Sequence, residues 1–230
     1  MWPWFRRPKR DLPVLVQAYM DTPQPDPRTN WREVPYSVID VETSGLNAKQ
    51  DALLAIGLVE IDQGRVRLDS CWYSLIRPPE GLLVSVESIR IHRLLRDELA
   101  QAPPAAAVLT EFLQRLRGRM LVVHVATIDM RFINRVLTSL WGIKLHKVGL
   151  DTARFAHSLH VYERYSRGIE TDTPSIQLRA LTQSANLPLY TQHNALNDAI
   201  TTAQLFLMQS TRLEAQSDRT LRAVIRAAGT

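Results

Sequence analysis

The stretch YSVIDVETSGL, residues 36–46, constrains this chain more than any other. Val38, Ile39 and Val41 surround Asp40 and Glu42, and Thr43-Ser44-Gly45 follows, so the stretch reads as a buried strand running into a tight turn. Residues two apart on a strand leave the same face, which sends Asp40 and Glu42 out together while Ile39 and Val41 pack the other side. Two carboxylates placed side by side in an apolar strand repel one another and lose hydration unless a cation or a proton neutralises them. A bound metal meets that requirement. Taken alone, the pair is more simply read as a turn cap or an arginine partner.

Two further apolar stretches follow. LLAIGLVEI (residues 53–61) and RVRLDSCWYSLI (residues 65–76) flank Asp62-Gln63-Gly64, which predicts a hairpin and hence a three-stranded antiparallel meander. After Pro78-Pro79 the periodicity turns helical, in SVESIRIHRLLRDEL and then in PPAAAVLTEFLQRLRG, whose prolines suit a first helical turn and whose glycine ends it. Residues 120–124 predict a short buried strand. Helices are expected over residues 126–141, 151–162, 175–184 and 194–209, the third opened by Thr173 and Pro174. A last helix over about 212–227, with Leu213, Leu221, Val224 and Ile225 on one side, reads as a tail. A meander followed by alternating helices and strands implies an α/β fold, a mixed central sheet flanked by helices in three layers. Residues 1–32 hold Pro3, Pro8, Pro13, Pro23, Pro25 and Pro27 and read as an extended arm with room for one short helix near residues 12–20. The expected division is therefore an arm over 1–32, the main domain over 33–210 and a tail helix over 211–230.

Composition narrows the class. With 230 residues, 45% of them hydrophobic and 22% charged, the chain can bury a core without disulfides. No apolar run approaches the roughly 20 residues of a membrane span, so no membrane partner is expected. Cys71 is the only cysteine, which excludes an internal disulfide and a thiolate zinc site and fits a cytoplasmic location. The basic start MWPWFRRPKRDLPVLV is broken by Asp11 and Pro13, unlike a secretory leader. The net charge of +5 is confined to the ends: residues 1–32 carry six Lys/Arg against three Asp, residues 211–230 four Arg against two acids, and the middle is neutral. Such a body does not coat a long duplex by neutralising many phosphates; it suits engagement of a short stretch.

Three more residues complete a pattern. Asp129 falls in the first turn of the helix after residues 120–124, where an acid alone needs no explanation beyond favouring the helix N-terminus. In QHNALNDAITTAQLF, His193 precedes a helix and Asp198 lies one and a half turns in, beside Ala195, Ala199, Thr202 and Ala203; singly, each reads as a cap or an exposed position. Together, Asp40, Glu42, Asp129 and Asp198 offer four hard oxygen ligands and no thiolate, a set that selects Mg²⁺ or Mn²⁺ over zinc. Two such ions about 4 Å apart can activate water and stabilise the leaving oxygen of a phosphodiester, and a neutral His193 nearby would serve as general base.

On these residues the chain resembles the DEDDh 3′-to-5′ exonucleases, the family of the proofreading epsilon subunit of bacterial DNA polymerase III. The family's D-x-E-T-T/S-G is matched by Asp40-Val41-Glu42-Thr43-Ser44-Gly45, its second motif is similar to LVVHVATIDMRF, and its H-x4-D is matched by His193 and Asp198. The resemblance covers about residues 36–208. It implies a ribonuclease H-like fold and a two-ion mechanism with Mg²⁺ or Mn²⁺ that releases nucleoside 5′-monophosphates from the 3′ end of single-stranded or frayed DNA. The same chemistry on RNA ends is the alternative, and a non-catalytic nucleic-acid-binding or polymerase-associated subunit is a rival from another class. It further implies that Asp40 bridges both ions, that Glu42 and Asp198 hold the ion carrying the attacking water, that Asp129 serves the other through water, and that His193 is the base. Thr43 would offer its backbone amide to the 3′-terminal hydroxyl and Leu46 would wedge near the terminal base; a DNA polymerase subunit is the implied protein partner. One departure stands out: the family's second motif usually reads H-N-x-x-F-D, whereas here Val125 follows His124, so the asparagine that touches the substrate backbone is missing.

The remaining histidines and aromatics read as structural. His157 and His160 are three apart on a helix, His146 lies in a loop and His92 in SIRIH, while Cys71, Trp72 and Trp141 read as packing. Arg6, Arg7, Lys9 and Arg10, interleaved with Trp2, Trp4 and Phe5, could stack on single-stranded nucleic acid, although a solvated arm is the simpler reading.

Overall fold

The structure is a computed structural model that describes residues 12–82, 84–146, 149–167, 175–216 and 218–230. The chain runs α1 (Val14–Asp21), β1 (Tyr36–Thr43), β2 (Leu53–Asp62), β3 (Arg65–Leu75), α2 (Val86–His92), α3 (Arg96–Gln101), α4 (Ala105–Leu116), β4 (Met120–Val123), α5 (Ala126–Trp141), β5 (Gly149–Asp151), α6 (Thr152–Arg167), α7 (Leu178–Ser184), α8 (Ala195–Glu214) and α9 (Leu221–Ala228). The five strands form one sheet in the order β3-β2-β1-β4-β5. β1, β2 and β3 pair antiparallel as the expected meander, and β4 and β5 join parallel to β1. The hairpin turns on Gln63 and Gly64, both at positive φ, the conformation that matches the twist of two paired strands.

Strand alternation sorts the core into two halves. Ile39, Ile56, Leu58, Leu121 and Val123 pack against α1, α4 and α5 through Val16, Leu109, Phe112, Phe132, Ile133 and Leu137. Tyr36, Val38, Val59, Ile61 and Val122 pack on the opposite side against α6, α8 and α9 through Phe155, Ala199, Ala203, Phe206, Leu221 and Val224. Helix, sheet and helix thus form three layers, as expected.

Four local expectations are corrected. From residue 12 onward the short helix expected there is present as α1, but the segment packs on the body and is not a free arm: Val16 and Tyr19 on α1 are buried, and Trp31 is buried with its indole N–H donating to Glu214 at 3.1 Å. Proline richness hid three large apolar anchors too sparse to show a period. The tail helix is broken: α8 runs on to Glu214, and α9 begins only after Thr220, whose hydroxyl caps it. α9 packs in the core, and the backbone of residues 27–31 bonds to residues 219–222, so the chain's two ends brace one another. The helix read across SVESIRIHRLLRDEL is two helices, parted at Arg93 in the left-handed region. β5 has three residues, too few for an apolar period, and was not expected. Thr173, Pro174 and the residues Trp2 to Arg10 lie outside the described residues.

Candidate active site

The site lies where β1 and β4 end and α5 and α8 begin. Asp40 and Glu42 leave the β1 face that looks toward α8, and Asp40 pairs across the sheet with Gly57. The glycine decides the geometry. A Cβ there would lie 2.2 Å from the Ala195 backbone, so the missing side chain lets the first turn of α8 press against β2 directly beside Asp40. Asp198 rides on that turn. Carboxylate oxygens of Asp40, Glu42 and Asp198 come within 4.8 Å of one another, the one group among the described residues arranged to hold a metal ion.

Asp129 enters from α5, and its start is unusual. Its N-cap residue, Val125, has φ 58° and ψ 61° and contributes no side-chain cap. The cap comes from β5: the Asp151 carboxylate accepts from the backbone N–H of Val125 at 3.1 Å and of Ala126 at 2.9 Å, and also from Ala153 in the next helix at 2.8 Å. Asp151 was missed in the sequence, where it looked like the first residue of a helix. Asp129 itself is 5% exposed and lies outside the tight group of three, but its charge acts on Asp40.

Electrostatics mark the cluster as short of positive charge. Burial, then Asp129, Asp198 and Glu42, push the Asp40 carboxyl well above its ordinary range. Burial and then Asp198 raise Glu42 to about 7. Burial, then Asp151 and Glu42, raise Asp129. Burial raises Asp198 too, but there the His193 N–H, donated at 2.9 Å, and the His193 charge oppose it. Glu42 Oε1 and Asp129 Oδ2 are buried without any hydrogen-bond partner. Orphaned carboxylate oxygens beside two more acids are the complement of a divalent cation, so the donor set fits the ions expected.

His193 is exposed, at φ 58°, just before Asn194, whose side chain caps α8. Thr43 lies at the end of β1, where the register with β2 shifts; its hydroxyl donates to the Gly45 carbonyl at 2.7 Å and its own carbonyl accepts from Ser88. Leu46 is 83% exposed at the tip of the following loop. His92 bonds Ser88 at 2.8 Å, and its Nδ1 accepts from the Leu94 amide, so it braces the turn at Thr43. His124 bridges Thr152 and the Ile176 carbonyl, each at 2.8 Å. The His146 ring lies 4.6 Å from that of Tyr19, Trp72 is buried, and Trp141 packs on the same core half.

A family model for exonucleases, RNase T, matches residues 37–206. The chain belongs to the RNase T exonuclease family. Curated relatives include the PolC-type DNA polymerase III of Thermotoga petrophila, 29% identical over 179 residues, and that of Thermotoga maritima, 30% identical over 179 residues. Each alignment covers 78% of this chain, yet the chain spans only 12% of either polymerase. Among solved structures, the family member is similar to Exonuclease X in complex with 5′ overhanging duplex DNA, with TM-score 0.58 and 21% identity over 82% of this chain and 99% of that one. It is similar also to E. coli Exonuclease I in complex with a dA16 oligonucleotide, with TM-score 0.63 and 16% identity over 80% of this chain and 42% of that one. These likenesses carry the fold, which is the ribonuclease H-like exonuclease fold. No helix among the described residues is long and apolar enough to cross a membrane.

Proposed function

We propose that this protein is a metal-dependent 3′-to-5′ exonuclease that hydrolyses the terminal phosphodiester of single-stranded or frayed DNA and releases nucleoside 5′-monophosphates. The observation that carries the reading is the convergence of Asp40, Glu42 and Asp198, with orphaned carboxylate oxygens on Glu42 and Asp129, beside an exposed histidine. Asp40, Glu42 and Asp198 would hold one divalent cation and Asp40 with Asp129 a second. When bound, such ions supply an activated water and neutralise charge at the leaving oxygen. His193, exposed and tethered through its backbone N–H to Asp198, takes the proton from the attacking water at a ring nitrogen. The turn at Thr43, fixed by Ser88 and by its own hydroxyl, presents backbone amide to the 3′-terminal hydroxyl. Exonuclease I and Exonuclease X were each captured with DNA, which supports DNA as the substrate, and the PolC-type relatives support a polymerase as the partner.

Labelled single-stranded DNA and RNA oligonucleotides, each assayed with Mg²⁺, Mn²⁺ and EDTA, test the reading. The expected result is stepwise shortening of DNA from its 3′ end with either ion and none in EDTA. Faster RNA shortening would move the substrate to RNA, and binding without hydrolysis would make the protein a binding subunit. An Asp40→Ala variant that keeps near wild-type activity would overturn the two-ion site.

A further inference from the structure

The loop that carries Leu46 is braced far beyond what a surface turn needs. Ser44 and Ala52 close it with a backbone bond of 2.9 Å and a second from the Ala52 N–H to the Ser44 hydroxyl, also 2.9 Å. Inside it, the Asp51 carboxylate accepts from the Ser44 hydroxyl at 3.3 Å and from the Asn47 N–H at 2.8 Å. Gly45 passes so close that a Cβ would sit 2.5 Å from that carboxylate. Its anchors by packing are Ala48 and Ala52, and a cleft of about 590 Å³ lined by Gln50, Asp51, Ala52, Ile76, Leu82 and Phe132 lies beside it. Ahead of those two small anchors the exposed residues Leu46 and Asn47 depend on hydrogen bonds to hold their place.

A side chain from a neighbouring helix crosses to it. Arg135, exposed on α5, donates from Nη1 to the carbonyl of Ala48 and to the carbonyl of Asp51, the latter at 3.0 Å. α5 is the helix that carries Asp129, so the clamp fixes the loop relative to one of the four site acids. We infer that Arg135 is a positioning residue that holds Leu46 rigid as a wedge, so that the enzyme can open a paired 3′ end and not only digest a free strand. This rests on the reading of the site as a 3′-to-5′ exonuclease with Leu46 at the terminal base. Unstacking and unpairing a terminal base takes a few kcal/mol, and a wedge that can fold back into a cleft does not transmit that force. A free strand needs no prying, so its digestion depends far less on the clamp.

The test compares kcat/KM on a blunt duplex and on a single strand of the same sequence for the wild type, Arg135→Ala, Arg135→Lys and Leu46→Ala. Arg135→Ala should lose about tenfold on the duplex and less than about twofold on the single strand, the scale of a misplacement away from the reacting atoms. Arg135→Lys, which keeps the charge and a donor toward the carbonyls, should recover part of the loss, and Leu46→Ala should lose more on the duplex than on the single strand. Equal loss on both substrates for Arg135→Ala would overturn the inference, as would a Leu46→Ala variant with an unchanged duplex-to-single-strand ratio. Amide hydrogen exchange separates the clamp from the catalytic reading, since it needs no activity. Arg135→Ala should speed exchange at Asn47, Asp51 and Ala52 while β2 and β3 stay protected. Unchanged exchange there would overturn the clamp whatever the enzyme's substrate proves to be.

Discussion

Helices α5 and α8 begin in the same way and are held in opposite ways. Each has a non-glycine residue at φ 58° at its entry, Val125 as the N-cap of α5 and His193 one residue before the N-cap of α8, and each carries a site acid in its first turn, Asp129 or Asp198. α8 is capped by its own Asn194 and leaves His193 exposed, tied through its backbone N–H to Asp198. α5 is capped from another strand, by Asp151, and buries Asp129 with one oxygen unpartnered. The contrast separates two tasks. The α5 start is built into the sheet and fixes an acid; the α8 start holds an acid and also leaves exposed the imidazole that the proposed mechanism uses as proton acceptor.

The largest expected effects test that division at α8. Asp198→Ala should lower turnover by roughly 10²- to 10³-fold or more, because it removes both a proposed oxygen ligand and the acceptor that fixes the His193 backbone. His193→Ala should lower kcat by roughly 10²- to 10⁴-fold with Mn²⁺ affinity, followed by titration of the protein, little changed. If the His193 variant lost metal affinity as well, the two residues would share one task and the division would fail.

Acidity tests the buried acids of β1 and α5. Glu42 has an ordinary value of 4.5 and is raised to about 7. Between those values the folded chain keeps a proton that the unfolded chain has released, so stability in EDTA should fall as pH rises through this window, by roughly 3 kcal/mol for this group alone. Asp40 and Asp129, raised by burial and by neighbouring carboxylates, act in the same direction. Asp129→Asn should therefore raise Tm in EDTA more at pH 8 than at pH 5. Asp198→Asn should raise it less, because His193 already opposes the shift there. A Tm in EDTA that climbs with pH would contradict the buried, uncompensated cluster.

What the sequence made legible follows from how local each signal is. Asp40 and Glu42 could be placed on one face because strand period is a two-residue property, and Asp129 and Asp198 because each sits near an evident helix start. Gly57 could have been noticed, since a glycine inside LLAIGLVEI signals a close approach, but nothing local says that α8 is what approaches. Asp151 was out of reach: its value lies in bonding amides 25 and 26 residues earlier, and its own neighbourhood looks like an ordinary helix start. The bracing of residues 27–31 by residues 219–222 was hidden for the same reason, being a contact between sequence ends with no period to announce it.

The smallest expected effect is the sharpest probe of the two helix starts. A left-handed backbone costs an L-residue roughly 1–2 kcal/mol, and it is least suited to a β-branched side chain such as Val125, whereas asparagine adopts it readily. The motif that this segment resembles has asparagine at that position. Val125→Asn should therefore stabilise the protein by about 1 kcal/mol, a Tm rise of about 2–4 °C for a chain of this size. Asp151 should continue to cap α5, because its bonds go to backbone N–H groups that the substitution leaves in place. If the asparagine also reaches the substrate backbone, KM on single-stranded DNA should fall with kcat unchanged, the signature of binding added equally to ground and transition states. A less stable Asn variant would show that the half-buried valine contributes more by packing than its backbone costs, and that the α5 start is held by its side chain as well as by Asp151.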